Sequence, residues 1–308
     1  MTRPDSPAGA LAVLDPLPPP ATAPRVLRFS RRETTALADN AAHRFAAKHA
    51  LCIYRANAIY TFIPKNGCST LRLSLALANG TIGSPEEAGW IHRNNGTFRA
   101  TLRDLVTADY TFTVLRCPYR RLASAFLDKV VKRNVPRSMD RLLRNRPGRA
   151  GRFRRWLARA RRPDRRAAPE YGDLTFRSFV RLLEAPGGLM LDPHWAPQSA
   201  FLVYEAYDDV FRLEEFEAAW ARLRERIGLE VVDARSLIRH GTDQLTLMTE
   251  GRFADTPVRE LDAMRAAGRV PAPATLYDDD LTAAVTRLYR ADVALYAARF
   301  GTGGLLVS

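Results

Sequence analysis

The chain has 308 residues, 46% of them hydrophobic, and a formal net charge of +14. That is ample material for a core, in one large α/β domain or two small ones. No apolar run reaches membrane-spanning length, and the cysteines Cys52, Cys68 and Cys117 have neither disulfide-set nor metal-ligand spacing, so an integral membrane protein, a disulfide scaffold and a cysteine metal site are excluded.

Residues 1–24 read as a disordered leader, with Pro4, Pro7, Pro16, Pro18, Pro19, Pro20 and Pro24 among many alanines. Its apolar cluster, Leu11 to Leu14, is too short to span a bilayer, and the flanking prolines spoil a signal-peptide core. Ile59 to Ile63 then reads as a buried strand that ends at Pro64. Lys65-Asn66-Gly67-Cys68-Ser69-Thr70 follows as a tight polar turn, and the alternating leucines and alanines after it favour a helix closed at Gly80. Strand, turn and helix aim the free N–H groups of a helix N-terminus at one point. Such a point attracts an anion, above all with a lysine on the turn. The Walker pattern is absent, because no glycine stands four residues ahead of a Gly-Lys pair. The bland alternative is an ordinary strand–helix turn with a solvated lysine.

Trp90 to Asn95 holds His92, a candidate base, and Leu102 to Val106 reads as a short amphipathic helix. Tyr110 to Leu115 is a second strong strand with Arg116 at its C-terminal edge. Pro118 suits the first turn of a helix that continues through Leu122, Ser124, Phe126, Lys129 and Val130. Open α/β sheets bind ligands beyond the carboxyl ends of their strands, so Lys65 and Arg116 would share one rim. A guanidinium there fits two phosphate oxygens, and Ser124 can add a hydroxyl.

Together these runs resemble the two halves of the nucleotide site of sulfotransferases that use 3′-phosphoadenosine 5′-phosphosulfate. The first is Pro-Lys-x-Gly-x-Ser-Thr after a strand. The second is Arg-x-Pro-x-x-Arg-Leu-x-Ser-x-aromatic-x-x-Lys, matched by Arg116, Pro118, Arg121, Leu122, Ser124, Phe126 and Lys129. More narrowly, the chain resembles the carbohydrate branch that includes the Golgi chondroitin, dermatan and HNK-1 enzymes and bacterial relatives. The resemblance implies that Lys65 and residues 66–70 (Asn66, Gly67, Cys68, Ser69, Thr70) hold the 5′-phosphosulfate, and that Arg116 and Ser124 hold the 3′-phosphate. Cys117 departs from the pattern, since the family usually carries an acid there. A Golgi-type anchor is not found, which suits a bacterial, cytoplasmic protein.

From Arg141 to Arg166 the chain has twelve arginines and one acid, Asp164, and so carries +11 of the formal +14. We read 137–169 as an Arg-rich insertion. Three roles stand open for it: a lid over an anionic acceptor, peripheral contact with acidic lipid at the inner membrane or nonspecific nucleic-acid binding, or a solvated segment of no dedicated role.

Leu174 to Leu183 reads as an amphipathic helix capped by Thr175. Asp192-Pro193-His194-Trp195-Ala196-Pro197-Gln198 then forms a rigid loop that resembles an Asp-x-His-Trp-x-Pro-Gln run of the same branch. His194 is a second candidate for catalysis or acceptor contact, and Trp195 would offer its ring to a sugar face. Ala200 to Tyr204 and Val210 to Leu213 read as short strands, and Glu214 to Ile227 as a helix closed by Gly228. Asp278, Asp279 and Asp280 open a long final helix, suiting its dipole better than a metal site.

The expected architecture is a single α/β domain over 25–308, P-loop-kinase-like, with a central mostly parallel sheet flanked by helices. The implied activity is in-line transfer of a sulfonate group to a carbohydrate hydroxyl, without a metal and without a specific nucleic acid. A magnesium-dependent P-loop kinase or NTPase using Lys65 and Thr70, and a nonenzymatic Arg-rich nucleic-acid binder, remain the alternatives.

Overall fold

The structure, a computed structural model, describes residues 24–30, 35–94, 96–131, 139, 142–143, 169–235, 237 and 245–306. Nearly all of the leader, and nearly all of the Arg-rich run, lie outside the described residues. Met139 and Leu142 are exceptions, and both are buried in the main hydrophobic core.

Four short strands form the central sheet in the order β1 (Ala50–Ile53), β2 (Ala58–Thr61), β3 (Tyr110–Leu115) and β4 (Asp209–Arg212). The β1–β2 pair is antiparallel, and the β2–β3 and β3–β4 pairs are parallel, so the sheet is mostly parallel as expected. Every residue of β1, β2 and β3 is buried, because apolar clusters cover both faces. Tyr110, Phe112 and Val114 point to one face, where Tyr60 stacks on Phe112. Thr113 points to the other and satisfies its hydroxyl on the Thr61 carbonyl at 2.9 Å. This is how fully buried parallel strands read in sequence, as near-continuous apolar runs with few polar breaks.

The helices flank this sheet in chain order: α1 (Ala41–Ala47), α2 (Cys68–Ala78), α3 (Trp90–Arg93), α4 (Leu102–Thr107), α5 (Pro118–Ala125), α6 (Pro169–Gly172), α7 (Phe176–Leu183), α8 (Phe216–Ile227), α9 (Val258–Ala266), α10 (Asp279–Leu288) and α11 (Arg290–Phe300). The local signals act as read. Thr175 caps α7, Gly228 in the left-handed region ends α8, and Asp278 caps α10 by accepting from the Leu281 N–H. Asp278 also pairs with Arg177, which gives the acidic start of α10 a structural task.

Three expectations need correction. The stretch Ala200 to Tyr204 is not a strand. Gln198–Phe201 is a 3₁₀ turn instead, because the buried carboxylate of Asp292 accepts from the N–H groups of Gln198 (2.6 Å) and Ser199 (2.9 Å) and tightens the chain. The helix after β3 is not regular to Val130, for it widens into a π-helical turn over Phe126–Val130. The long final helix breaks at Tyr289, whose hydroxyl donates to the Trp195 carbonyl at 2.6 Å. A small parallel pair, β5 (Thr246–Met248) with β6 (Arg269–Pro271), lies in a region that carries little periodicity.

One side chain braces the loops that build the site. Arg121, 2% exposed on α5, donates to the carbonyls of Pro64 (3.0 Å), Ala196 (2.8 Å) and Pro193 (3.2 Å). It therefore clamps the turn after β2 to the His194 loop. Arg121→Met would leave three carbonyls unpaired at about 1 kcal/mol or more each. The expected loss of roughly 3 kcal/mol corresponds to a fall in Tm of about 6–12 °C for a domain of this size. An unchanged melting temperature would show that the clamp is not structural.

Candidate active site

β2 delivers the chain at Thr61, and Pro64 stops it. Lys65 and Gly67 then both take the left-handed conformation, with φ of 73° and 70°. Glycine is required at 67 for packing too, since a Cβ there would meet Leu213 Cδ1 at 3.0 Å and the Phe216 ring at 3.3 Å. The turn opens straight into α2, an eleven-residue helix with no side-chain cap. Its first intrahelical bond is from the Leu71 N–H to the Gly67 carbonyl, so the N–H groups of Cys68, Ser69 and Thr70 precede the ladder. An uncapped N-terminus of this kind presents donors and partial positive charge to an anion.

β3, one strand over and parallel, ends at Leu115 and brings Arg116 to the same rim. The Arg116 guanidinium donates to the Lys65 carbonyl at 3.0 Å. The two loops are also locked through Gln198. Its Oε1 accepts from Asn66 Nδ2 (2.6 Å) and the Arg116 N–H (3.0 Å), and its Nε2 donates to the Arg116 carbonyl (2.9 Å). The neighbouring Cys117 N–H goes to Glu214 Oε1 at 3.0 Å, so a carboxylate from the 213–215 turn serves the position where the pattern expects an acid.

A single open cavity of about 1140 Å³ is lined by Lys65, Gly67, Cys68, Ser69, Thr70, Arg116 and Ser124, and by both candidate bases, His92 and His194. The structure thus brings nine of the ten expected site residues to one space. Asn66 is the one it turns away. Its side chain is fully buried and donates to the Val114 carbonyl (2.8 Å) and Gln198, and its N–H donates to the Ile63 carbonyl. Thr70 is largely buried, and its hydroxyl accepts from the Ala234 N–H at 3.3 Å.

Trp195 needs correction as a sugar platform. It is 0% exposed, packs edge-on against Phe179 and donates to the Gly188 carbonyl. The aromatic rings that do line the cavity are Phe62, His49, Phe216 and Trp220. Phe62 and Phe216 carried no local signal of exposure in the sequence, because both also pack against the core.

The electrostatics are one-sided around Lys65. Its ammonium lies 3.0 Å from Asp128 Oδ2, and Lys129 lies 3.2 Å from the same oxygen. Burial pushes the Lys65 amine below its ordinary pKa, and Arg116 and Lys129 act in the same direction, with Asp128 opposing. Burial disfavours the Asp128 carboxylate, yet the two lysines outweigh it and hold Asp128 well below the usual carboxylate range. Arg116 is lowered by burial and raised by Glu214, and it starts too high to lose its proton.

His194 is half-buried, with Nδ1 2.6 Å from Asp192 Oδ1. Burial lowers its pKa, the Asp192 bond raises it, and the charges of Lys129 and Lys65 lower it again; the net shift is downward. The carboxylate takes the Nδ1–H, which fixes the tautomer and leaves Nε2 as the basic atom. His92 is exposed on α3, next to Ile91, whose carbonyl is held by Arg72.

A second group of cations enters from β1 and its neighbours. Lys48 and His49 precede β1, Arg99 sits on the segment bridged to Leu51, and Arg72 projects from α2 over the Phe62 ring. Burial, with Arg99 and Lys48 nearby, holds His49 neutral with a pKa of about 4. Lys48, Arg72 and Arg99 have no ion-pair partner among the described residues.

No helix among the described residues is long and apolar enough to cross a membrane. A family model described as the sulfotransferase family matches residues 48–297, a span that includes the Lys65 and Arg116 loops, the His194 loop and most of α11. No curated protein and no solved structure gives a match. The matched span covers well over half of the chain, and on that basis the protein belongs to the sulfotransferase family, the transferases of sulfonate groups.

Proposed function

We propose that the chain transfers a sulfonate group from 3′-phosphoadenosine 5′-phosphosulfate to a carbohydrate hydroxyl, and that its fold is P-loop-kinase-like. The observation that carries this reading is the shared cavity of Lys65, the open start of α2, Arg116 and Ser124, with the Arg116 guanidinium bonded to the Lys65 carbonyl. Two anion cradles are thereby fixed to one another, as a nucleotide with phosphates at both ends of its ribose requires. The cavity volume exceeds what a typical small ligand fills, leaving space for an acceptor beside a nucleotide.

In this reading the N–H groups of residues 67–70 and the Lys65 ammonium face the 5′-phosphosulfate. Arg116 and Ser124 face the 3′-phosphate. His194 Nε2 takes the acceptor proton as the acceptor oxygen bonds to sulfur. The bond from sulfur to the bridging phosphate oxygen breaks, and the charge left on that oxygen meets Lys65. Positioned cations and backbone donors of this type supply most of the catalysis in group transfers of phosphoryl kind. His194 is favoured over His92 because Asp192 orients it and because it lies close enough to Lys65 and Lys129 to feel their charges. Lys48, Arg72 and Arg99, beside the Phe62 and His49 rings, form the acceptor side and favour an anionic saccharide.

Lys65→Ala is expected to lower turnover well over tenfold, since a lost oxyanion-type donor is worth roughly 3 kcal/mol. His194→Ala should lower turnover by about 10²–10⁴ while adenosine 3′,5′-bisphosphate still binds. The working form of His194 is neutral and its pKa is shifted below the ordinary 6.5. Activity should therefore hold at pH 6.5 and fall only as pH drops through a lower midpoint. A pH–rate profile whose acid limb survives in His194→Ala but vanishes in His92→Ala would move the role to His92.

The acceptor assignment has its own check. Lys48→Ala and Arg99→Ala should each raise KM for a uronate-containing or sulfated oligosaccharide several-fold, by about 1 kcal/mol per lost contact, and leave KM for a neutral one unchanged. Equal effects on both acceptors would contradict it.

A further inference from the structure

Asp128 belongs to no part of the transfer described above, yet it is a 7% exposed carboxylate in the wall of the cavity. Its Oδ2 is shared by two ammonium groups, Lys65 at 3.0 Å and Lys129 at 3.2 Å. The pair lies on a backbone irregularity. Consecutive residues of a regular α-helix diverge by about 100°, so Asp128 and Lys129 would face different neighbours. The π-helical turn Phe126–Val130 widens the helix at this point, and both side chains line the cavity. Such single π turns recur at functional sites.

We propose that Asp128 is a positioning residue that holds the Lys65 ammonium charged and aimed when no donor is bound, with Lys129 taking over the carboxylate when Lys65 turns to the donor. The proposal rests on the donor reading given above. The groups facing Lys65 explain the need. They are Arg116 beyond β3, Lys129 on the π turn, His194 on its loop, Ser124 on α5 and the positive end of α2; among those described, Asp128 is the one carboxylate in contact with the amine. Without it, burial and two neighbouring cations would lower the Lys65 pKa further, and a neutral amine cannot balance charge on a leaving phosphate. The reverse problem arises when Lys65 leaves, because a buried carboxylate with no partner is costly. Lys129, already on the same oxygen, covers it.

The test reads the Lys65 amine itself. Trace acetylation with acetic anhydride across a pH series, followed by peptide mass spectrometry, gives the pH at which the Lys65 amine is half deprotonated. Asp128→Asn should lower that midpoint by about one pH unit or more, the size expected when a close opposite charge is lost. Lys129→Met should raise it, because a like charge has gone and the Asp128 oxygen is no longer shared with a second ammonium. This second variant keeps the test decisive if Asp128→Asn folds poorly. A midpoint unmoved in either folded variant overturns the proposal. Protection of wild-type Lys65 by adenosine 3′,5′-bisphosphate is read in the same experiment and judges the donor reading separately. Shifted midpoints without protection would count against the donor and leave the Asp128–Lys65 coupling standing.

Discussion

The carboxamide of Gln198 joins the loops that follow β2 and β3, and the geometry of the cavity depends on it. It accepts from Asn66 on the first loop and exchanges two bonds with the backbone of Arg116 on the second. Its own N–H is held by Asp292 from the final helix. Each bond is worth only about 1 kcal/mol net, but a buried polar group left unpaired costs more than that. The network is therefore nearly all-or-none, and it fixes the loops to each other more tightly than separate strand ends would manage. Arg121 does the same from the other side, through three carbonyls of the turn and the His194 loop. The final helix closes the set, with Tyr289 on the Trp195 carbonyl and Tyr296 donating to Glu214.

On this frame Lys65 and Lys129 share the Asp128 carboxylate, Arg116 lies near Glu214, and the start of α2 adds its dipole to the same cavity. The same lysines help to keep His194 neutral.

Much of this was legible in the sequence, and what was not has physical reasons. The β2–α2 turn carried its signal locally, in the stop at Pro64, the lysine, the glycine and the leucine run that follows. Arg116 was legible because a strong strand ended on it. The orientation of Asn66 was not legible because ligand loops are recognised by residue type, while its side chain is held by Gln198, 132 positions away. Asp128 lies between Phe126 and Lys129 of the second motif, on a π turn that helical periodicity does not reveal. Trp195 resembled a sugar platform because a proline-bracketed aromatic is rigid whether it faces solvent or core; here Phe179 and Gly188 claim it. The strand expected near Ala200 was lost to Asp292, whose effect likewise comes from a distant element.

The central claim is that the two loops grip phosphates at opposite ends of one nucleotide. Its most direct measurement is a calorimetric cycle with adenosine 3′,5′-bisphosphate and adenosine 5′-monophosphate, on the wild type and on Arg116→Ala. The account predicts that the wild type prefers the bisphosphate by tenfold or more, about 1.4 kcal/mol, and that Arg116→Ala erases the preference while keeping affinity for the monophosphate. A preference that survives unchanged in Arg116→Ala, or one absent from the wild type, would contradict it.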